Sequence, residues 1–219
     1  MKLFKSMLPV AFLNLAALLL ASYWQPSQVP IHFNYAGIAD SWAPKWAAVL
    51  LGLIPVVLAA GMLFYRHRTK DNERYKKNRK QENILLPLIL FLFIPFTWLP
   101  FSEPVWRDNS YMIPGLICLF LGIFFTVFAN YTSTLKPNRS FGLRVPWTLK
   151  SDTVWTKTHR MAAYWGILGG LLFIAGGILT LLLRQIGFAV GGFIAALVCM
   201  PLIPTIYSAV IYRKENKCF

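Results

Sequence analysis

Six long runs of apolar residues, separated by short charged segments, make up most of the sequence. A helix needs about 20 apolar residues to cross a hydrocarbon core of about 30 Å, and each run is close to that length. Lipid offers no partner for unpaired backbone groups, so each run is predicted to be an α-helix. The predicted spans are residues 7–24, 46–65, 84–101, 111–131, 161–183 and 186–212. We therefore predict an all-α, polytopic integral membrane protein with six transmembrane helices.

The composition agrees with this fold class and narrows the function. Hydrophobic residues make up 57% of the chain and charged residues only 14%, whereas a soluble domain is about one quarter charged. Cys118, Cys199 and Cys218 form no C-x-x-C pair, so neither a zinc site nor a redox pair is indicated. Catalytic signatures such as H-E-x-x-H and G-x-S-x-G do not occur. We predict a protein that is not an enzyme and that binds no cofactor and no metal.

The basic residues predict the orientation of the chain. The formal net charge of +14 is compatible with a nucleic-acid partner, but of the 22 basic residues only Lys45, Arg107 and Arg184 fall on one predicted side of the membrane. The other nineteen fall on the side that carries both termini. Short basic loops stay in the cytoplasm. Both termini are therefore predicted to be cytoplasmic, and the charge indicates topology rather than direct contact with nucleic acid.

Small residues and prolines distinguish the later spans. Gly166 and Gly170, and likewise Gly187 and Gly191, have the spacing that lets two helix backbones approach closely. Because only a few residues join the fifth and sixth spans, we predict a tight antiparallel helical hairpin there. Prolines in the third and sixth spans predict kinks, which either line a cavity or are simple packing bends.

The first loop, predicted to be external, is longer than a turn requires. His32, Asn34 and Asp40 supply hydrogen-bonding groups among aromatic residues, and Gly37 permits a turn with positive φ. We take these four residues as candidates for facing an external ligand. One His and one Asp are a poor metal set. An ordered cap that contacts a ligand and a purely structural re-entrant turn both remain open.

The loop before the fifth span, residues 131–160, is predicted to be cytoplasmic. Ser151 is a predicted helix N-cap, and from there an amphipathic helix along the inner leaflet is predicted to lead into the fifth span. His159, with Lys157 and Arg160, is placed either to bind an anionic headgroup or to anchor the helix at the interface. The basic loop 66–83 similarly suits anionic lipid or an acidic cytoplasmic partner.

Specific motifs in these two loops resemble a known family. Lys136-Pro137-Asn138, then Gly142-Leu143-Arg144-Val145-Pro146-Trp147-Thr148, then Trp155 with Thr158-His159-Arg160, closely resemble the SdpI family of bacterial membrane proteins. Val29-Pro30-x-His32-Phe33-Asn34-x-x-Gly37-x-x-Asp40 resembles a small uncharacterised two-helix domain that often precedes the SdpI region, with Val29 where Ile is usual. The expected domains are residues 1–83 and residues 84–219.

The resemblance implies an immunity protein of the bacterial cytoplasmic membrane, which protects the cell from a secreted killing peptide. It further implies a receptor that recruits a cytoplasmic repressor. Two alternatives stay open: a carrier or flippase for a lipid or amphipathic solute, and an envelope-stress or assembly protein. The motif around Arg144 and Trp147 is expected to be either a structural staple between spans or a docking site for a partner. The oligomeric state is not indicated.

Overall fold

The computed structural model describes residue 4 and residues 6–34, 37–102, 109–138 and 141–215. Within them, six helical stretches are long and apolar enough to cross a membrane: Met7–Trp24, Lys45–Arg68, Arg79–Ser102, Met112–Thr132, Asp152–Leu183 and Gly187–Glu215. We call them spans 1 to 6. The predicted all-α, six-span fold is confirmed. Arg107 and Cys218, which entered the sequence argument, lie outside the described residues.

Several of these spans consist of more than one element. The helices are Met7–Ala21, Lys45–Leu51, Leu53–Arg68, Glu73–Lys76, Arg79–Trp98, Met112–Thr132, Pro146–Lys150, Asp152–Leu183, Gly187–Leu197 and Ile203–Glu215. Ser22–Trp24 and Leu99–Ser102 are 3-10 turns, and Val198–Leu202 is a π-helical turn. The strands are β1, Gln28–Phe33, and β2, Ala39–Pro44.

Prolines account for the irregular points of the spans. Pro201 lies inside the π-helical turn of span 6, where the regular α-helical ladder is interrupted, since proline supplies no N–H to that ladder. Span 2 is interrupted at Gly52, three residues before Pro55. In span 3, by contrast, Pro87 and Pro95 lie within a continuous helix.

The chain divides into two compact units. The first comprises Met1–Asn72 with Glu82–Pro114, and the second comprises Glu73–Gln81 with Gly115–Phe219. The first unit thus includes most of span 3, so it extends beyond the N-terminal domain expected to end at residue 83. The helix Arg79–Trp98 makes buried polar contacts with spans 1 and 2 of this unit.

A buried amide links spans 1 and 3 in the first unit. Asn14 is 7% exposed, and its side-chain N–H donates to Thr97 Oγ1 over 3.2 Å. The Trp98 indole N–H donates to Asn14 Oδ1 over 2.8 Å. Buried apolar side chains pack close by, among them Leu18, Val29, Ala48, Val49 and Phe101. A polar link between helices is a usual way for membrane spans to associate.

A second polar contact joins the facing ends of spans 2 and 3. The Glu82 side chain is 1% exposed, accepts a hydrogen bond from the Tyr65 hydroxyl over 3.1 Å, and lies 3.8 Å from the Arg66 guanidinium. Arg66 also donates to Asn83 Oδ1 over 2.8 Å. Pairing of this kind is required for a carboxylate that is buried.

The first loop forms an antiparallel β-hairpin, where the sequence suggested only an ordered loop. β1 and β2 pair with Val29 opposite Ala43 and Phe33 opposite Ala39, with irregular register around His32. At the base of the hairpin, the Lys45 backbone N–H donates to the Ser27 carbonyl over 3.0 Å. These strands are short and contain Pro30 and Pro44, which weakens any periodic strand signal in the sequence.

The second unit contains the predicted antiparallel hairpin of spans 5 and 6. Span 5 ends at Arg184, whose φ of 56° turns the chain into span 6. The glycines at the contact differ from those predicted, however. Gly176 of span 5 faces Phe188 and Gly192 of span 6, whereas Gly166 and Gly170 face span 4, and Gly187 and Gly191 face open space.

Candidate functional site

The segment that joins spans 4 and 5, residues 133–151, carries most of the motif residues, and we call it the motif loop. Its middle is held by His159 of span 5, which is fully buried. His159 Nδ1 lies 2.8 Å from the Trp155 carbonyl oxygen, and the Leu143 backbone N–H donates to Nε2 over 3.0 Å. Because a carbonyl can only accept, Nδ1 carries the hydrogen and Nε2 is the acceptor. His159 is therefore a neutral structural residue here.

Trp155 lies one helical turn before His159 and also binds the backbone of the motif loop. The two rings stack with centroids 4.0 Å apart and planes 18° apart. The Trp155 indole N–H donates to the Leu135 carbonyl over 2.9 Å, which fixes the start of the motif loop. Two buried rings on one helix face thus bind the loop backbone at two points.

Gly142 is the motif residue whose type is dictated by space and by backbone conformation. Its φ is +102°, which L side chains rarely adopt. A Cβ atom built on Gly142 would overlap the His159 imidazole at Nε2. Only glycine allows the loop to pass this closely over the ring.

Lys136 contributes to the motif loop through its backbone, and Asn138 contributes through its side-chain amide. The Asn78 side chain accepts from the Lys136 N–H over 2.8 Å and donates to the Lys136 carbonyl over 3.0 Å. The same carbonyl accepts from the Asn138 amide over 2.8 Å, and Asn138 Oδ1 accepts from the Phe141 N–H over 2.7 Å. Asn78 is 2% exposed, so a buried amide joins residues 73–81 to the motif loop.

The short helix Pro146–Lys150 is capped within the motif. Pro146 occupies its first turn, where a missing N–H costs nothing. The Thr148 hydroxyl accepts from the Val145 N–H over 3.1 Å and lies 2.8 Å from the Leu143 carbonyl, to which it donates. The Trp147 indole N–H donates to Ser208 Oγ of span 6 over 2.6 Å.

The start of span 5 is joined to the end of span 6. The Ser151 hydroxyl accepts from the Val154 N–H over 3.2 Å, which confirms the predicted N-cap. It also donates to Glu215 Oε2 over 3.0 Å, and Lys157 Nζ lies 3.9 Å from Glu215 Oε1.

Two expectations for this region are wrong. The interfacial cluster of Lys157, His159 and Arg160 does not form, because His159 is buried in the loop contact and Lys157 faces Glu215. The segment from Asp152 is not a separate helix along the leaflet, since Asp152–Leu183 is one unbroken helix. An unbroken helix keeps nearly one axis, so its first turns continue the direction of the span.

The remaining motif side chains divide into exposed and buried ones. Lys136, Pro137, Arg144, Pro146 and Arg160 are exposed. Thr158 is fully buried, and its hydroxyl has no hydrogen-bond partner among the described residues. Most motif residues therefore hold the loop in place, and a few of their side chains are exposed on its surface.

The candidates in the first loop also divide by role. Asn34 and Gly37 form the turn: the Asn34 N–H donates to the Ile38 carbonyl, the Gly37 N–H donates to the Asn34 carbonyl, and both distances are 2.9 Å. Gly37 has the positive φ that was predicted, +72°. His32 Nδ1 lies 2.5 Å from Asp40 Oδ1, and the two side chains are 66% and 43% exposed. The structure therefore leaves His32 and Asp40 on the surface.

A groove in the second unit lies beside the motif loop. Its volume is about 520 Å³, and side chains of spans 4, 5 and 6 line it, including Phe125, Phe173 and Met200. Gly142 and Leu143 of the motif loop also line it. The lining is almost wholly apolar, so the groove suits a hydrocarbon chain rather than a polar solute.

Within the part of the chain that the structure describes, no group of three or more His, Cys, Asp or Glu is close enough to hold a metal ion. Cys118 and Cys199 are buried and unpaired in their spans, where the Cys118 thiol donates to the Ala189 carbonyl. These residues are packing residues in this fold.

Several partners of the motif loop were not predicted from the sequence. Asn78, Ser208 and Glu215 each bind a residue of the motif loop, yet they lie between 58 and 64 residues away along the chain. A polar residue inside an otherwise apolar span, as Ser208 is, was the signal available for one of them. Asn78 gave no such signal, since it lies among the charged residues of a loop.

Fold and site together define a multi-pass membrane protein in which a conformationally specific loop is fastened to two spans. Residues 134–208 match the SdpI/YfhL protein family, and residues 10–58 match a domain of unknown function, DUF1648. Both matches agree with the resemblance inferred from the motifs, which is thereby confirmed. Residues 134–208 are thus similar to the SdpI/YfhL family, and a segment similar to the uncharacterised domain precedes them.

A full-length relative supports the same assignment. The chain is 27% identical over 218 residues to a protein named Immunity protein SdpI from Bacillus subtilis (strain 168), covering 96% of each chain. No solved structure matches the chain.

Proposed function

We propose that this chain is a membrane immunity protein that gives resistance to a secreted antimicrobial peptide by binding and not by catalysis. One observation carries the proposal: the similarity to Immunity protein SdpI extends over 96% of both chains. It therefore includes the β-hairpin region as well as the motif loop. A likeness limited to apolar spans would be far less specific, because any two sets of membrane helices share composition.

We propose that the β-hairpin is the surface that meets the peptide. His32 and Asp40 are exposed there, and Ile31, Ile38 and Trp42 are 46%, 56% and 48% exposed. An amphipathic peptide could bury its apolar face on these large side chains while its polar groups reach the His–Asp pair. Asn34 and Gly37 support this surface by fixing the turn.

We propose that the motif loop lies on the cytoplasmic side of the bacterial cytoplasmic membrane, with both termini. The nineteen basic residues assigned to that side support this orientation. The bonds from Asn78 to Lys136 and from Ser151 to Glu215 agree with it, because they join segments that the topology places on one side. Exposed Arg144 and Lys136 are then available to a soluble partner, such as a repressor protein.

The test is survival of a peptide-sensitive bacterial strain under challenge by secreted amphipathic killing peptides, with membrane abundance matched between strains. Expression of the wild-type chain should protect. His32→Ala combined with Asp40→Asn should reduce protection while abundance stays normal, because both side chains are exposed. Gln28→Ala, also exposed on β1, is the control and should protect fully.

Two results would contradict the proposal. Absence of protection by the wild-type chain against a broad peptide panel would remove the immunity function. Full protection by the double variant would be compatible with the immunity function but would show that the His32–Asp40 surface of the hairpin is not needed to bind the peptide.

The apolar groove favours a second candidate function, a carrier or flippase for a lipid or amphipathic solute. This candidate predicts that proteoliposomes containing the protein move a fluorescent lipid between leaflets faster than empty vesicles. Ala196→Phe would place a ring in the groove lining and should stop that movement. The immunity function predicts no such change in lipid movement.

A further inference from the structure

A pocket on the side of span 5 that Arg160 occupies is built to take an anion. Its volume is about 440 Å³, and its lining consists of Asn130, Ser133, Arg160, Ala163, Tyr164 and Ile167. Arg160, Ala163, Tyr164 and Ile167 follow the i, i+3, i+4, i+7 spacing of one helix face. Asn130 and Ser133 come from the end of span 4 and the turn after it, so the pocket lies between two neighbouring helices of one unit.

The polar side chains that line this pocket are unpartnered in the part of the chain that the structure describes. Among the described residues, the side chains of Asn130, Ser133, Arg160 and Tyr164 make no hydrogen bond or ion pair. No carboxylate lines the pocket. An arginine guanidinium offers only donors, and the amide and the two hydroxyls can each donate as well. Convergent donors around a cation, without an acid, match a phosphate or another oxyanion.

The position of the pocket along the span indicates the source of that anion. Arg160 directly precedes the long uncharged run that begins at Met161, which places it at the boundary of the hydrocarbon core. Tyr164, one turn further in, is 77% exposed, and tyrosines are enriched where membrane meets water. Phospholipid phosphates lie at this depth, and Ile167 continues the face into the apolar region.

We infer that this pocket binds the phosphate of an anionic phospholipid, with Arg160 as the principal contact. This inference is independent of the immunity function, because it concerns lipid retained at the flank of span 5 and not the β-hairpin. It also assigns a role to Arg160, the last residue of the Thr158-His159-Arg160 motif, which does not take part in holding the motif loop.

The experiment uses the full-length protein, purified and delipidated in a neutral detergent. Dioleoylphosphatidylglycerol or dioleoylphosphatidylcholine is titrated in, and binding is measured by native mass spectrometry and by the shift in thermal unfolding. Wild-type protein should prefer phosphatidylglycerol. Arg160→Gln should weaken its binding about fivefold or more, since one basic residue near a membrane surface contributes about that factor.

Matched variants separate the pocket from general surface charge. Lys157→Gln removes the same charge from the same helix, but Lys157 faces Glu215 and not the pocket, so phosphatidylglycerol binding should be unchanged. Arg160→Lys keeps a cation and should retain most of the preference. Because Arg160 makes no bond within the described residues, Arg160→Gln should unfold at the wild-type temperature when no lipid is added.

Three outcomes would overturn the inference. If Arg160→Gln and Lys157→Gln weaken phosphatidylglycerol binding equally, the binding depends on general surface charge and not on this pocket. No weakening by Arg160→Gln would remove Arg160 from the contact. An Arg160-dependent shift with inorganic phosphate, without preference for phosphatidylglycerol, would assign the pocket to a free oxyanion and not to lipid.

Discussion

The Leu143 backbone N–H donates to Nε2 of His159 across 3.0 Å, and this bond joins the motif loop to span 5. It determines the tautomer of the histidine, and it requires a glycine immediately before Leu143. Three structural features therefore depend on one another through this bond. They are the burial of His159, the positive φ of Gly142 and the position of the short helix that follows.

Gly142→Ala should destabilise the protein by at least about 2 kcal/mol. The added methyl group would displace the His159 ring, leave the Leu143 N–H unpaired at about 1–3 kcal/mol, and force alanine into a left-handed conformation. Thermal unfolding in detergent measures the change. Gly191→Ala is the control, because a Cβ there meets open space within a helix and should be neutral or stabilising. Equal behaviour of the two variants would contradict the proposed contact.

Trp147→Ala and Arg144→Ala should behave differently, which distinguishes the two expected roles of the motif. Trp147 donates to Ser208 in span 6, so its loss should lower stability by roughly 2 kcal/mol and reduce abundance. Arg144 is exposed, so Arg144→Ala should change stability by less than about 0.5 kcal/mol. Thermal unfolding and membrane abundance report both effects.

The protection given by the Arg144→Ala variant then distinguishes a structural role of the motif from a role as a docking site. If Arg144 contacts a cytoplasmic partner, the variant should accumulate normally while protection or signalling falls. Normal accumulation with normal protection would remove Arg144 from any docking role. A large loss of stability would show that Arg144 has a structural contact in the folded protein.

Asn78→Ala should loosen the start of the motif loop. The variant loses two hydrogen bonds to the Lys136 backbone and leaves that N–H without its partner, which costs about 1–3 kcal/mol when the group is buried. Limited proteolysis of the motif loop and thermal unfolding measure the loss. Lys77→Ala, an exposed neighbour, should match wild type, and equal proteolysis of both variants would count against the Asn78 link.

Asn14→Leu should weaken the packing of span 1 on span 3. The substitution removes the acceptor of the Trp98 indole N–H and the donor to Thr97. Hydrogen bonds between membrane helices average about 0.6 kcal/mol and reach about 1.7 kcal/mol, so a loss of about 1 kcal/mol is expected. Denaturation in mixed detergent micelles measures it, with exposed Leu13→Ala as the comparison. Unfolding of Asn14→Leu at the wild-type detergent ratio would argue against the link.

The six spans could be predicted because a membrane-spanning helix is recognised from a single continuous stretch of sequence. Each needs only enough consecutive apolar residues to cross lipid, which is a property of one stretch of sequence. The partners of a span are not local in this way. Gly166 and Gly170 have the right spacing for a close helix contact, but the spacing does not tell which neighbour they face, and that neighbour is span 4.

The predicted cluster of Lys157, His159 and Arg160 was wrong for a similar reason. They are neighbours in sequence, but successive residues of a helix are about 100° apart, so their side chains leave the helix in different directions. His159 points into the protein, Lys157 towards Glu215 and Arg160 into the lateral pocket. The hairpin escaped prediction because its strands pair across a turn, although Asn34 and Gly37 gave a turn signal.

The continuity of the helix Asp152–Leu183 has a mechanical consequence. Its 32 residues span about 48 Å, well beyond the hydrocarbon thickness, and Trp155 and His159 fasten the motif loop near one end. A tilt of about 10° about the opposite end would carry that loop sideways by about 6–7 Å, because Trp155 and His159 lie roughly 36–42 Å from that end and a continuous helix has no hinge to absorb the rotation. Reorientation of this one helix at the Leu183 end would thus be converted directly into displacement of Arg144 on the far side.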